Sequence, residues 1–459
     1  MKDVGLETDL VIVGGGLAGH RAALEAARCG AEAVILEKMP EVGGSTVMSG
    51  GSFAFAGTDM QKAWGIDDSN ELLRKDLLEV GNWVNVPSLV DVYVENQLAE
   101  YHFLRGLGIE FTHVQASSGH SAPRSHRANP RTVINVLNEE VRRTRGLSIR
   151  LSTSAERLER SPDGRISHVI ARSGSEVIRI RARKGVVLAS GGFARSEELL
   201  RLFVPQVMRA IPGGGLGNTG DGLRMAWEHG AAFADMGYVK GTFGTYYRLD
   251  PGELPATIFP IYRGAIAVNK QGKRFIDESK PYKTIGEACL LQEDALAFQI
   301  FDQKVMQSSI ADVPSFNFEA VRAKGRIVEA GSIAELADKL GLPKQALCTT
   351  VDEYNEDVRR GVDRYFGRRT LTHTFGRIQE IDTPPFFGYP CTTMINSTYA
   401  GLRVDEKMRV LNVWDEPIAG LFAAGEIIGG FHGESYMTGS SLVKALVFGR
   451  IAARSALSD

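Results

Sequence analysis

The sequence predicts an α/β fold, and three observations carry that expectation. Near the N-terminus, "DLVIVGGGLAGHRAALEAARCGAEAVILEK" reads as strand, glycine loop, helix and strand. Further along, "RKGVVLASGGFAR" reads as basic residues, a buried strand and a small-residue turn. The 51 glycines are the compositional outlier. They cluster in a few loops, where bare backbone can approach a ligand closely.

The first element, "DLVIV", is a short buried strand, and "RAALEAARCG" is rich in the good helix formers Ala and Leu. Gly30 sits where that helix should stop. Between strand and helix lies Gly14-x-Gly16-x-x-Gly19, with Leu17 and Ala18 before the third glycine. The first glycine makes a tight turn, the second admits a pyrophosphate, and the third lets helix and strand pack closely. The helix N-terminus then offers its partial positive charge to the phosphates. Glu37 ends the next strand 18 residues after Gly19, where an acid can hold ribose hydroxyls. A second match, "GLGNTG" from Gly215 to Gly220, lacks a preceding strand and reads as a decoy.

Composition narrows the function. The chain has 459 residues, enough for two or three domains, and its 43% hydrophobic and 24% charged residues are ordinary for a globular protein. A net charge of −2 argues against a nucleic-acid partner. Cys29, Cys289, Cys348 and Cys391 are far apart, which argues against iron–sulfur clusters, zinc sites and a disulfide framework. No metal site is expected. The start "MKDVGLETDL" has no signal-peptide pattern, and no window is apolar enough for a membrane span, so a cytoplasmic enzyme is expected.

After Glu37 the chain continues "KMPEVGGSTVMSGGSFAFAGT", a glycine- and hydroxyl-rich loop better suited to phosphates and a flavin than to a nicotinamide. With "VGGGLAG", "VVLASGGF", "GNTGDGLRMAWEHGA", "AIAVNKQGKRFIDE" and "LFAAGEIIGGFHG…GSSL…FGRIAA", the chain resembles the FAD-dependent family of fumarate reductases, succinate dehydrogenase flavoproteins and 3-ketosteroid dehydrogenases. The matching motifs run from residue 10 to residue 454 in family order. The resemblance implies a Rossmann-like FAD-binding domain of the glutathione-reductase type, interrupted by an α+β capping or catalytic domain. The FAD-binding parts would be residues 1–240 and 398–459, and the cap 241–397. It implies FAD contacts from Gly14, Gly16, Leu17, Ala18, Gly19, Glu37, Lys38, Gly44, Ser45, Thr46, Ser49, Gly50 and Gly51. Ala155 would approach the adenine. Ser190, Gly191, Asp221, Gly425 and Glu426 would follow the phosphates and ribityl chain, and Ser441 and Leu442 would open a helix under the isoalloxazine. Relatives with covalent flavin carry a His where this chain has Ser45, so non-covalent FAD is expected. No haem or iron–sulfur module is expected in a member of this length.

The substrate side departs from the fumarate reductases. Where they carry a catalytic arginine this chain has Tyr282, where they carry a substrate histidine it has Ser397, and where they carry a carboxylate-binding arginine it has Tyr436. In these substitutions the chain is nearest the 3-ketosteroid dehydrogenases of the 4,5-desaturating type. The resemblance thus implies a dehydrogenase that places a C=C bond next to a ketone in a cyclic or steroid-like substrate, or a cyclic oxo-carboxylate, and hands electrons to an external acceptor. Tyr436 would donate a hydrogen bond to the carbonyl and Tyr282 would be the base, its pKa lowered by Lys280, Lys283 or Arg263. Tyr399 is a third candidate. His432 would shape the loop or touch flavin. His126, Arg124 and Arg127 would form a solvated basic loop, or hold a carboxylate. The alternatives are a flavin-dependent reductase of an unsaturated carboxylate, of fumarate or urocanate type, and a non-catalytic flavin-binding protein.

Overall fold

In the computed structural model, residues 6–239, 241–248 and 256–459 are described. Lys240, at the expected first domain boundary, and residues 1–5 at the start of the chain lie outside them. The first strand, Leu6–Val13, runs into the helix Leu17–Arg28, and the strand Ala33–Leu36 follows, as the alternation of apolar runs and glycines requires. Gly30 takes φ +78° just past the helix. Ala33–Leu36 and Glu176–Leu188 flank the first strand in parallel. Leu147–Arg150 and Pro417–Ala423 extend the parallel array on either side. Parallel strands are buried on both faces. Leu10, Val11, Ile12, Val186, Val187 and Leu188 are accordingly fully enclosed. The helix Ser440–Ser458 closes the chain against this layer.

A second sheet is organised around the ten-residue strand Phe386–Ile395. Thr242–Tyr246, Ala297–Asp302 and Val328–Ala330 pair with it antiparallel. One short strand from before residue 241, Ile211–Pro212, joins it in parallel. The two helices expected around a proline turn are Ile333–Leu340 and Lys344–Arg360, capped by Gly341 and Gly361 in left-handed geometry. The second glycine match is followed by the helix Asp221–Glu228, but the short strand before it belongs to the second sheet. Among the described residues, no helix is long and apolar enough to cross a membrane.

Contrary to the sequence expectation, Arg124 is not free for a substrate and the basic stretch around residue 126 is buried rather than solvated. It forms the strand Ser125–Arg127, paired with Ser52–Ala54. Arg124 is fully buried between Asp68 and Asp76, at 2.7 and 2.5 Å. His126 is enclosed by Phe55, Tyr101 and Phe111, and its ring nitrogens meet Thr58 Oγ1 and the Arg124 carbonyl at 2.8 Å. Burial holds its pKa down at about 4, so the ring is neutral.

Removing one member of a buried ion cluster strands the others. Arg124→Met leaves Asp68 and Asp76 without their counter-charge, and should lower unfolding free energy in urea by about 3–5 kcal/mol.

Candidate active site

The glycine loop is built for backbone contact. Gly14 has φ +113°, and a Cβ there would lie 2.3 Å from the Ala189 carbonyl oxygen. A Cβ at Gly19 would lie 2.0 Å from the Gly14 oxygen. At Gly16 the situation reverses, for no protein atom comes nearer than 3.9 Å. Gly16 caps the first helix without a side-chain hydrogen bond, and the first turn, containing Leu17 and Ala18, holds no acid. Gly439 begins the closing helix in the same way, with Ser441 and Leu442 in its first turn. Two helix N-termini thus keep amides for an external anion or carbonyl.

The other expected cofactor residues gather around this loop. The Glu37 carboxylate accepts from the Gly15 and Met39 amides at 2.8 and 2.9 Å. Lys38 Nζ reaches Asp221 and Thr219, both at 2.5 Å. Gly44 has φ +49° and open space where a side chain would stand. Ser45 Oγ accepts from Asn218 Nδ2 at 3.0 Å, and Thr46 Oγ1 from the Leu17 amide at 3.3 Å. Ser49 Oγ accepts from the Gly51 amide at 3.3 Å, and Gly50 lies against the Arg127 guanidinium. Ala155 is buried on the strand Thr153–Arg160, whose first amide donates to the Glu37 carbonyl at 2.9 Å. Ser190 Oγ is buried without a partner, next to Gly191. Gly425 takes φ +82°, and Glu426 accepts from Asn218 Nδ2 at 2.9 Å and the Thr398 amide at 2.9 Å. Burial raises the pKa of Glu426 despite those donors. An open glycine cradle, two helix starts with no acid in their first turn and an unpartnered Ser190 hydroxyl fit a flavin dinucleotide.

The three tyrosines converge. Tyr399 and Tyr436 stack with centroids 4.9 Å apart and planes 9° from parallel. Tyr282 stands 6.1 Å from Tyr436 and stacks on Phe259 at 4.8 Å. His432 faces Tyr399 at 4.6 Å, and burial holds its pKa well below the usual value, so it is neutral. Tyr436 Oη accepts from the Gly439 amide at 3.1 Å and is also hydrogen-bonded to the Ser441 hydroxyl. The expectation that neighbours lower the Tyr282 pKa is not met. Burial raises it well above 10, and the nearby Tyr436 and Tyr399 add to the rise. Lys280 is exposed, and Arg263 lies 4.6 Å from the Phe316 ring centroid. Lys283 is the cation over the cluster, 4.9 Å from the Tyr399 centroid, 5.6 Å from that of Tyr282 and 6.0 Å from that of Tyr436.

Sequence reasoning missed Asn218, Thr242 and Thr398. Asn218 lies inside the glycine motif dismissed as a decoy; that loop closes onto Ser45 and Glu426. Thr242 carried no motif, and Thr398 stood between Ser397 and Tyr399 without being singled out; both join the site through tertiary packing.

A family model described as "FAD binding domain" matches residues 9–442. The chain is 30% identical over 457 residues to the NADH:fumarate oxidoreductase of Klebsiella pneumoniae, covering 98% of this chain but 47% of that protein. It thus spans about half the length of that relative. It is 30% identical to the urocanate reductase of Eggerthella lenta, covering 98% and 74%. The solved 3-ketosteroid Δ4-(5α)-dehydrogenase of Rhodococcus jostii, in complex with 4-androstene-3,17-dione, superposes with a TM-score of 0.78 at 26% identity, covering 98% and 97%.

Two outcomes test this site. A Cβ at Gly16 comes no nearer than 3.9 Å to a protein atom but enters the cradle, so Gly16→Ala should fold with unchanged far-ultraviolet circular dichroism while retaining at least about tenfold less flavin. Burial holds the Lys283 pKa at about 7, against 10.5 for a free lysine. Between those values the unfolded chain binds the extra proton, so stability should rise with pH across that window. In Lys283→Met, urea melts should show a smaller rise; the remainder comes from Lys444, held at about 8.

Proposed function

The chain belongs to a family of FAD-dependent oxidoreductases acting on CH–CH and C=C bonds, and from that premise we propose that this enzyme works next to a carbonyl in a cyclic, ketone-bearing substrate. The observation that carries the proposal is the tyrosine cluster, where fumarate reductases are expected to place arginines. Phenols recognise a carbonyl through one hydrogen bond each, whereas a dicarboxylate needs fixed positive charge. Tyr436 is the donor: its oxygen accepts from the Gly439 amide, and its proton turns from the neighbouring Ser441 hydroxyl to the substrate. As charge develops on the carbonyl oxygen, that bond strengthens. Tyr282 and Tyr399, kept neutral by burial, are further donors and walls.

FAD, when bound, supplies the hydride acceptor in desaturation or the hydride donor in reduction. Gly14, Gly16, Gly19, Glu37 and Lys38 would hold its nucleotide end. Glu426, Ser441 and Leu442 would hold the flavin end, with the helix amides facing the pyrimidine edge. We propose the capping region 241–397 as the source of Tyr282, and an external electron acceptor or donor as the second partner. The second reading, reduction of an unsaturated carboxylate, is favoured by the names of the fumarate and urocanate relatives and by the Lys283 ammonium as a candidate anion anchor.

An anaerobic panel following flavin absorbance separates the two. Saturated cyclic ketones should bleach the oxidised protein, and succinate should not; efficient fumarate reduction without enone reduction would overturn the carbonyl reading. Tyr436→Phe should lower kcat/KM by about 10²–10³ while flavin content stays constant.

A further inference from the structure

Lys283 lies in the first turn of the helix Tyr282–Leu290 and is 1% exposed. Buried lysines usually carry a carboxylate partner. Among the described residues no salt bridge to Lys283 is formed; the Glu426 carboxylate acts on it only as a nearby charge, favouring the ammonium, while burial favours the amine more strongly. Its Nζ instead donates to Thr242 Oγ1 at 2.7 Å, and the same hydroxyl accepts from Asn396 Nδ2 at 3.1 Å. This choice of partner has a chemical meaning. A carboxylate would lock the lysine as an ammonium. A hydroxyl can accept from the ammonium and donate to the amine, so both protonation states are hydrogen-bonded.

The surrounding ionisable groups leave this residue as the one suited to exchange a proton. Its own helix carries Tyr282, Glu287 and Cys289. The strands packed against that helix carry Tyr246, Tyr389 and Cys391. Beyond its C-terminal end stand Glu293 and Asp294, both paired with Lys270, and Arg209, bonded to the Leu290 carbonyl. Across the site are Tyr399, Tyr436, His432 and Glu426. Burial pushes all three tyrosines of the cluster up, with Tyr389, Cys391 and Cys289. The same burial pushes His432 far down, so these groups stay neutral through the physiological range. Glu426 is held by Asn218 and the Thr398 amide. Lys444, whose charge acts on His432 and Glu426, is occupied by the Ile428 carbonyl at 3.1 Å beside Phe431.

We propose that Lys283, rather than a tyrosine, exchanges the proton at the substrate carbon next to the carbonyl. The proposal rests on the carbonyl reading above. In the desaturating direction the α C–H bond breaks and its proton forms an N–H bond on the neutral amine. The electron pair left behind becomes the new C=C bond as the β-hydride leaves to the bound flavin oxidant. In the reducing direction the ammonium returns the proton to the α-carbon while reduced flavin supplies the hydride. The tyrosines stay protonated throughout and hold the oxygen.

Holoprotein carrying ¹³C at the lysine ε-carbons tests the resting state by NMR, without turnover. The resonance missing from Lys283→Met should titrate near pH 7; titration above about 9, towards the free value, overturns the proposal. The kinetic arm uses cyclohex-2-enone and fumarate as separate probes with chemically reduced enzyme. Lys283→Ala should lower kcat about 10²–10⁴-fold, with KM nearly unchanged and flavin retained, and ethylamine should restore part of the loss. Full activity in the variant, or a loss that no amine restores in a protein that still melts cooperatively, overturns it. Activity on fumarate alone sinks the carbonyl reading while leaving the lysine to be judged by the same variants. The NMR arm reads Lys283 even if neither probe turns over.

Discussion

The rest of the structure depends on the close approach of the first helix and the last. A Cβ at Gly449 would lie 2.5 Å from the Ala18 carbonyl oxygen, and one at Gly425 would lie 2.9 Å from the Ala18 side chain. Only glycine lets the closing helix and its preceding loop settle this tightly on the nucleotide-binding turn. Buried charges fasten the joint. Arg21 binds Glu25 at 2.9 Å and Glu100 at 2.7 Å, Arg450 reaches Glu100 at 2.7 Å, and Arg454 pairs with Glu25. Three helices are thereby held in one register. That register puts Gly439 against Ser52 and Ala54, and carries Tyr436 from the closing loop into the aromatic core of the second sheet.

The cofactor half was legible because it is local. A tight turn, a bare approach and a helix start impose residue types at fixed spacing, and Gly14, Gly16 and Gly19 show them within six positions. Glu37 and Lys38 follow on the next strand for the same reason. The substrate half assembles from four distant segments, and there residue type alone misled. Arg124 and His126 read as a solvated basic loop, yet one is consumed by two aspartates and the other is a neutral ring in an aromatic nest. The carboxylates and rings that decide this lie elsewhere in the chain. Asn218 was hidden differently, inside a segment from which only Asp221 was singled out, and its bridging of Ser45 and Glu426 exists only in three dimensions.

Electrostatically the two halves are opposites. The nucleotide side offers fixed polarity through helix amides, with Lys38 and Glu37 already hydrogen-bonded. The substrate side is nearly discharged, because burial keeps phenols protonated and imidazoles neutral. A low-polarity chamber amplifies whatever charge forms within it, so a single well-placed hydrogen bond or one ammonium has large leverage there.

The seam between Ala18 and Gly449 has a consequence for how the protein comes into being. The strand–turn–helix from Leu6 to Arg28 is local in sequence, but its turn is packed only when the remote residues Gly425 and Gly449 settle on Ala18. Capture of the flavin by that turn therefore follows a closure between segments remote in sequence. Until then the apolar flank of the first helix, Ala18, Ala22 and Ala26, lacks its cover and is a surface for chaperones to hold. Closure between such remote segments places this fold among those whose assembly is slowed by long-range contacts.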